Sequence, residues 1–345
     1  MSLNRRYVLA AVVALGLGFG SAATRPSARA SGLPASLDNH EFWRLSADSS
    51  EADGYFRSDN LTSNELLFQR VIPDLVTRTR SGSVYLGVGP EQNFTYIAAV
   101  RPAMAIVFDI RRGNLLVQLM YKALFELSKD RAEFVSMLFS RPRPAGLGRN
   151  ATAVELFAAF GGVSADEALF EENLRAIKTH LTRTRELPLS TRDLDGLEYA
   201  YHAFFSRGFA VRYSPTYADL MTATDGGGVA RSFLASETAF GTLKDLESKN
   251  LVVPVVGDFG GPKAIRAVGA YLKARDTHVG AFYLSNVEQY LYQDGKWPAF
   301  CRNVATLPLD ASSTFIRSSS GRGLGYGVGF VSRLGAIAEE VKDCE

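Results

Sequence analysis

Cysteine and histidine are scarce in this chain. Its 345 residues include two cysteines, Cys301 and Cys344, and four histidines that are scattered along the sequence. A structural zinc site needs Cys and His ligands at tight, regular spacings, and no such motif is present. The sequence therefore predicts no metal site. The two cysteines either form a disulfide bond or remain two buried thiols, because sequence alone does not give the distance between their Cα atoms.

An excess of one charge is also missing. The chain has 38 basic and 36 acidic residues, a formal net charge of +2. Proteins that bind nucleic acids usually carry a clear basic excess or a basic stripe, so we expect no nucleic-acid partner. Hydrophobic residues make up 46% of the chain and charged residues 21%. These values are ordinary for a packed globular protein and exclude a disordered or fibrous chain.

No N-terminal hydrophobic run reaches the length of about 20 strongly apolar residues that a membrane-spanning helix needs. Residues 7–23 are uncharged but rich in Gly and Ala, and they follow an Arg pair at positions 5–6. The Ala-Arg-Ala at 28–30 matches the small-x-small pattern of a signal peptidase site. The sequence thus predicts a signal peptide over residues 1–30 and an exported, periplasmic protein. The twin-arginine and general secretory routes both stay open, and an uncleaved leader would tether the protein to the membrane.

The rest of the sequence alternates between helix and strand patterns. Residues 31–80 are predicted as a linker and an N-terminal helical segment, with a helix at 61–76. Residues 81–345 are predicted as one α/β domain with a mainly helical insertion at about 129–228. Continuous apolar runs are typical of strands buried on both faces, which favours a mostly parallel sheet flanked by helices. The predicted strands are 83–89, 103–109, 251–256 and 279–284, with a closing pair at 304–309 and 314–317.

Three predicted strands end in residues suited to ligand binding. Gly87 and Gly89 follow the first strand, where glycine lets the backbone approach a ligand beside a helix N-terminus. Asp109 ends the second strand, at the usual place and spacing for an acid that accepts the two hydroxyls of a ribose. Asp258 and Phe259 follow a later strand. Ligands of such sheets bind beyond the carboxyl ends of the strands, so we expect these residues to line one pocket. The insertion is expected to cover it.

The motifs YLGVG, FDI, GDF and YLSN, in this order, resemble the class I S-adenosylmethionine-dependent methyltransferase fold, which is Rossmann-like. More narrowly, GVGPEQNFTYIA, VVPVVGDFGGPKA and FYLSNVEQYL resemble a family of uncharacterised bacterial proteins assigned to this fold. The resemblance implies S-adenosylmethionine as the cofactor and an acceptor site near Ser285 and Asn286, with Glu288 and Tyr290 as weaker candidates. The implied cofactor-binding residues are Gly87, Gly89, Pro90, Glu91, Asn93, Asp109, Asp258 and Phe259. Catalytic residues and the methyl acceptor stay unassigned.

The sequence departs from the usual methyltransferase pattern at the glycine loop, which follows the first strand and contains Gly87 and Gly89. Tyr85 stands where the common loop has an acid, and Glu91 stands where a third glycine is frequent. A nicotinamide site is the rival, but it would need glycine at the position of Gln92 for close helix packing. Glu91 and Asn93 are either helix caps or ligand contacts. Glu288 and its neighbours on a predicted helix are equally consistent with a solvated face, and Arg111 and Arg112 are interpreted as surface charges.

Two functions follow from these patterns. The first is a methyltransferase-like enzyme that binds a small-molecule or nucleoside ligand; methyl transfer depends mostly on positioning, so a missing catalytic dyad does not count against it. The second is an exported binding or structural protein that keeps the fold without the chemistry. No nucleophile elbow with a Ser/His/Asp order is present, which disfavours a hydrolase. The oligomeric state is not indicated.

Overall fold

The structure is a computed structural model that describes residues 32–212, 214–320 and 329–342. The predicted signal peptide at 1–30 and Cys344 lie outside the described residues, so cleavage of the leader and pairing of the cysteines stay predictions. Among the helices that the structure describes, none is long and apolar enough to cross a membrane.

One sheet of six strands lies at the centre of the described part of the chain. The strands are β1 (Val84–Val88), β2 (Met104–Asp109), β3 (Val252–Val256), β4 (Val279–Ser285), β5 (Thr314–Ser320) and β6 (Phe330–Ala336). Their order is β3-β2-β1-β4-β5-β6, and every pair is parallel except β5 with β6. All residues of β2 and β3 are buried, as expected for strands covered on both faces. The predicted α/β class with a mostly parallel sheet is confirmed.

Helices flank this sheet and fill the insertion. The α-helices are α1 (Asn39–Ser49), α2 (Ile72–Arg78), α3 (Gln92–Val100), α4 (Arg112–Leu127), α5 (Arg131–Phe139), α6 (Ala153–Gly161), α7 (Glu167–Thr179), α8 (Thr191–Arg207), α9 (Tyr217–Thr222), α10 (Glu237–Ser248), α11 (Ala264–Lys273), α12 (Val287–Gln293), α13 (Trp297–Val304) and α14 (Ile337–Glu340). One group, α3, α4 and α10, packs together, and a second group contains α1, α11 and α13.

The insertion predicted at 129–228 contains α5 to α9. Helix α8 packs along α4, which follows β2. Tyr217 of α9 contacts the rings of Phe139 and Phe204 at centroid distances of 5.3 and 6.3 Å. Buried residues of these helices belong to the same hydrophobic cluster as the strands. The insertion therefore extends the core of the sheet and has no separate core of its own.

The N-terminal segment docks on β3 through α1, a helix that the sequence analysis missed. Asp38 and Glu41 form a capping box that starts α1. Farther along this segment, the Ser46 hydroxyl donates to the Pro254 carbonyl at 2.5 Å, and Ser50 Oγ accepts from the Val256 N–H at 3.0 Å. These two bonds fix the first described residues to a strand about 200 positions later in the chain.

The helix predicted at 61–76 is wrong in its first half. Residues 61–67 are irregular, a 3₁₀ turn covers Phe68–Val71, and α2 begins only at Ile72. Asn60 has a left-handed φ of +47°, which turns the chain just before the segment. Pro73 lies at the start of α2, where a missing N–H costs least.

The predicted strand at 304–309 is also wrong. Helix α13 runs to Val304, and the N–H groups of the next three residues bond back to carbonyls of the helix or its end. The antiparallel partner of β5 is instead β6, at residues where the sequence analysis predicted no strand. Within β6, Ser332 is buried whereas most other residues are partly exposed, which gives it a weak strand signal.

Candidate functional site

A cavity of about 360 Å³, here called the edge pocket, opens at the carboxyl ends of the central strands. The chain passes from β1 to β2 and β3 on one side and then continues with β4 on the other side of β1. Open α/β sheets bind ligands at such a point of reversal. The strand ends contribute Val88, Gly89, Asp109, Ile110, Gly257, Asp258, Phe259, Tyr283, Ser285 and Asn286 to its lining.

The structure brings eight of the twelve predicted site residues to the edge pocket. They are Gly89, Pro90, Asp109, Asp258, Phe259, Ser285, Asn286 and Tyr290. Gly89 has a φ of +80°, in the region that favours glycine, and its N–H donates to the Phe108 carbonyl at 2.9 Å. Ser285 also has a left-handed φ, +50°, although it is not glycine. Such strain is concentrated at functional sites in proteins.

Gly87 and Asn93 are used for internal packing and do not line the pocket. A Cβ at Gly87 would collide with the Asn93 side chain and with the Tyr85 ring. Asn93 Oδ1 accepts from the Tyr85 hydroxyl at 2.9 Å, and its amide donates to the carbonyls of Val88, Gly89 and Pro90. Asn93 thus shapes the glycine loop from inside and is not among the lining residues, so its contact with a cofactor stays a prediction. Tyr85, the departure from the usual motif, is the partner that holds it.

Glu91 and Glu288 also point away from the pocket. The Glu91 carboxylate is fully buried and accepts the Ser63 N–H at 3.1 Å with both oxygens. Burial raises the pKa of Glu91 to about 7, against the effect of this hydrogen bond. Glu288 accepts from Arg317 Nε at 2.7 Å, so it is neither a solvated charge nor a pocket residue. Each residue ties two segments of the chain together.

Asp109 has the geometry expected of a hydroxyl acceptor. Its side chain is buried at the end of β2 and borders the pocket. Oδ1 accepts the Arg111 N–H at 2.9 Å, which fixes the carboxylate, and Oδ2 has no hydrogen bond within the described part of the chain. Burial raises the pKa of Asp109 to about 6, although the Arg111 N–H and charge favour the ionised form. An oxygen without a protein donor at the wall of a pocket is available to a ligand that supplies one.

Asp258 and Phe259 line the pocket, but both side chains already have partners within the protein. Asp258 Oδ1 accepts the Gly260 N–H at 2.8 Å, and Oδ2 accepts from Lys296 Nζ at 2.5 Å. The Phe259 ring packs against Phe108, Phe282 and Phe300 at centroid distances of 5.8, 5.1 and 5.8 Å. Asp258 and Lys296 therefore face the pocket as an ion pair, and only an edge of the Phe259 ring is left for a ligand.

The N-terminus of α11, next to Asp258, is closed by a side chain from the N-terminal segment. Glu51 Oε1 accepts the N–H groups of Lys263 and Ala264 at 2.8 and 2.9 Å, and Oε2 accepts the Asp258 N–H at 3.2 Å. A carboxylate at this position complements the helix dipole. The protein itself thus fills the place that an anionic ligand would take beside β3.

The edge pocket is covered by residues 55–64, here called the cover segment, and not by the helical insertion. Its lining residues are Tyr55, Phe56, Arg57, Ser58, Asn60, Thr62, Ser63 and Asn64. From residues 129–228, Arg212 is the single lining residue in the described part. The predicted cover is therefore wrong for the described residues: the insertion packs along α4 and reaches the cover segment from outside, where the Tyr199 hydroxyl of α8 donates to Asp59 at 2.7 Å. The composition of the cover segment could have predicted a loop here, since its residues 58–64, SDNLTSN, are mostly polar.

Contacts with the loop after β2 hold the cover segment in place. The Gly54 N–H donates to the Ile110 carbonyl at 2.9 Å, and a Cβ on Gly54 would lie 2.5 Å from the Ile110 side chain. Arg111 donates to the Ser58 carbonyl at 2.8 Å and pairs with Asp59 at the same distance. Arg111 is thus a structural contact of the cover segment and not a free surface charge.

Arg112 is also engaged, against the interpretation as a surface charge. Its guanidinium donates to both oxygens of Asp193 in α8, at 2.6 and 2.9 Å. Asp193 in turn closes the capping box that starts α8. This bidentate pair joins the loop after β2 to the insertion.

Sequence reasoning also missed Glu65, a buried carboxylate behind the pocket wall. It accepts from the Tyr283 hydroxyl at 2.9 Å, from the Ser285 hydroxyl at 2.5 Å and from the Gln92 amide at 3.0 Å, and also from the Ser318 hydroxyl. Glu65 is 1% exposed. No ion pair to it occurs within the described residues, so neutral donors replace a counter-ion. It orients Tyr283 and Ser285, which both line the pocket.

No group of three or more metal-ligating side chains occurs in the described ranges. Comparison with known proteins gives one family. The model of a domain of unknown function, DUF7790, matches residues 60–334. The match includes β1 to β5, most of β6 and most of the edge pocket, and it leaves out residues 55–59 of the cover segment. No curated protein matches the chain.

Proposed function

We propose that this chain, which belongs to the DUF7790 family, binds an adenosine-containing ligand in the edge pocket and functions as an S-adenosylmethionine-dependent methyltransferase-like protein. In this proposal the sheet is Rossmann-like, with the ligand at the reversal of strand order between β1 and β4. When bound, S-adenosylmethionine supplies a methyl group from its sulfonium. The acceptor is a small molecule whose identity the pocket leaves open.

The observation that carries the proposal is the free oxygen of Asp109. A ribose offers two adjacent hydroxyl donors, and a fixed carboxylate at the end of β2 is well placed to accept them. Arg111 holds Oδ1 while Oδ2 borders the pocket without a donor among the described residues. Oδ2 is therefore free to accept a hydrogen bond from a ligand hydroxyl.

The remaining lining fits a ligand with polar and aromatic parts. Gly89 has no protein atom within 4 Å of the Cβ position, so the backbone there is open to close approach. The volume of about 360 Å³ lies in the range of small-molecule sites. Ser285, Asn286 and Tyr290 lie on the β4 side, where the resemblance implies the acceptor. Their hydroxyl and amide groups can bind and orient an acceptor, which is the main requirement for methyl transfer.

A second candidate is a binding protein without chemistry, exported to the periplasm. The ion pair between Asp258 and Lys296, and the use of Asn93 inside the glycine loop, favour it. Two positions that the resemblance assigns to the cofactor are occupied by internal contacts. The two candidates share the ligand site and differ in whether a methyl group is transferred.

The test is calorimetric titration of the protein with S-adenosylmethionine, S-adenosylhomocysteine and NAD. We expect the two adenosyl compounds to bind and NAD to bind more weakly or not at all. Asp109→Asn is the test variant, and Asp195→Asn, an exposed aspartate of α8 outside the pocket, is the matched control. If none of the three compounds binds, the proposed function is wrong.

A second measurement separates the two candidates. The protein is incubated with S-adenosylmethionine that carries a labelled methyl group and with small-molecule extracts, and transfer of the label is followed. Transfer that Asp109→Asn lowers and Asp195→Asn leaves unchanged supports the methyltransferase. Binding without transfer supports the non-catalytic protein.

A further inference from the structure

The edge pocket is lined by three cationic side chains, and one of them makes no hydrogen bond or ion pair in the described part of the chain. Arg57 donates to the Tyr290 hydroxyl at 3.0 Å and lies over its ring at 5.5 Å. Lys296 is paired with Asp258. The Arg212 guanidinium has no hydrogen bond or ion pair with any described residue, although its side chain is partly buried. A partly buried charge without a partner costs free energy that an opposite charge offsets.

Arg212 lines the same pocket as Gly89 and Pro90, the residues that lead into α3. Its charge favours the ionised form of Glu91, which directly follows the lining residue Pro90. Helix α3 begins directly after Pro90 and Glu91, so its positive dipole end lies beside a lining residue of the pocket. Ser63 and Asn64 of the cover segment line the same pocket and add polar groups. Arg212 is therefore a cation that is available to a ligand in the pocket, whereas Asp109 makes the end of β2 suited to hydroxyl donors.

We propose that Arg212 binds an anionic group of the ligand, so that the edge pocket selects adenosine derivatives with a carboxylate or a phosphate over neutral ones. This inference rests on the proposed function and adds a specificity residue that comes from the insertion. Arginine suits the role because its planar guanidinium donates two parallel hydrogen bonds to either anion. Asp109 would then bind the ribose hydroxyls and Arg212 would bind the anionic group, and together they would fix the orientation of the ligand.

The experiment uses two pairs of ligands that differ by one anionic group. The first pair is S-adenosylhomocysteine and its decarboxylated analogue, and the second is AMP and adenosine. Dissociation constants are measured for the full chain and for Arg212→Gln, Arg212→Lys and Arg183→Gln. Arg183 is an exposed arginine of the same insertion that does not line the pocket, so its variant removes the same charge elsewhere. Circular dichroism and the thermal midpoint establish that each variant is folded.

We expect the anionic member of at least one pair to bind about ten- to a hundredfold more tightly than its neutral partner, the effect of a charged hydrogen bond. Arg212→Gln should bring that ratio close to one, Arg212→Lys should keep part of it, and Arg183→Gln should keep all of it. A preference within the AMP pair alone assigns the anion to a phosphate and argues against S-adenosylmethionine.

Equal affinities within both pairs for the unmodified protein, or a ratio that Arg212→Gln leaves unchanged, would overturn the role of Arg212 while the nucleoside site stands. If Arg212→Gln is unfolded, the affinity ratio within each ligand pair is compared between Arg212→Lys and the unmodified protein. An unchanged ratio in Arg212→Lys then overturns the role of Arg212. The failure of all four compounds to bind overturns the proposed function itself, and this inference with it.

Discussion

Replacing Asp109 with asparagine should stabilise the free protein and weaken its binding of nucleosides. Burial raises the pKa of Asp109 to about 6, whereas an exposed aspartate titrates near ~3.9. The folded state therefore binds the carboxyl proton of Asp109 more tightly than the unfolded state does. As a result, the free energy of unfolding falls as the pH rises from about 4 to about 6, where this proton is lost. At pH 7.5 the cost of the buried charge amounts to about 3 kcal/mol, as an upper limit for what Asp109→Asn recovers. The asparagine oxygen still accepts the Arg111 N–H.

Ligand binding should depend on pH in the opposite sense. Oδ1 is held by Arg111, so protonation places a hydrogen on Oδ2, the oxygen that faces a ribose hydroxyl. Affinity should therefore fall about tenfold for each pH unit below about 6 and be constant above it. Asp109→Asn should bind about ten- to a hundredfold more weakly at pH 7.5 and lose this dependence. The pKa of Glu91 is about 7, so this group changes charge in the same pH range. Glu91→Gln is the control, and it should leave the pH dependence of ligand affinity unchanged if Asp109 causes it.

The assays are urea denaturation for the free energy of unfolding and calorimetry for the affinity, both between pH 5 and 8. A purely structural aspartate gives the opposite pattern, with lower stability in Asp109→Asn and unchanged affinity. That pattern, or an affinity that does not vary with pH in the unmodified protein, would refute the reasoning.

Three further predictions concern the cover segment, the buried carboxylate and the leader. Gly54→Ala places a Cβ 2.5 Å from the Ile110 side chain, so it should displace the cover segment, speed proteolysis within residues 50–60 and lower ligand affinity. Gly82→Ala, at a glycine with no atom within 4 Å of the Cβ position, should lower stability through its positive φ but leave that cleavage unchanged. Glu65→Gln removes one acceptor oxygen from a cluster of four donors and should cost about 1–3 kcal/mol of unfolding free energy, measured by urea denaturation; no loss would mean that the donors find other acceptors. N-terminal sequencing of the protein from the periplasm should begin near Ser31, and intact Met1 in a soluble cytoplasmic fraction would contradict export.

The sequence predicted the strands best where both faces are covered. Residues 104–109 read as an uninterrupted apolar run because helices bury every side chain of β2. Strand β6 was missed because it lies at the edge of the sheet with most side chains partly exposed, which removes the apolar signal. Helix α1 was missed although Asp38 and Glu41 form its capping box, because contacts with β3, about 200 residues away, fix its position.

The same distinction separates the predicted and missed parts of the site. Asp109 and Asp258 could be found from sequence, since an acid directly after a buried strand must lie at the carboxyl edge. The cover segment, Arg212 and Glu65 could not, because their positions depend on how irregular segments cross the sheet. The internal contacts of Asn93 could not be predicted either, since a motif gives the position of a residue on a loop and not the direction of its side chain.

The docking of the N-terminal segment has a consequence for the order of folding. Ser46, Ser50 and Glu51 find their partners in residues 254–264, so the ring of chain that they close spans about 200 residues. Contacts of such long range form late in folding, because closing the loop costs conformational entropy before the new contacts can stabilise the structure. During synthesis, α1 and the segment after it must therefore wait for β3 and α11 to emerge before they can dock. An unfinished chain would contain β1, β2 and Asp109 with an uncovered strand edge, so a closed binding site arises only in the completed protein.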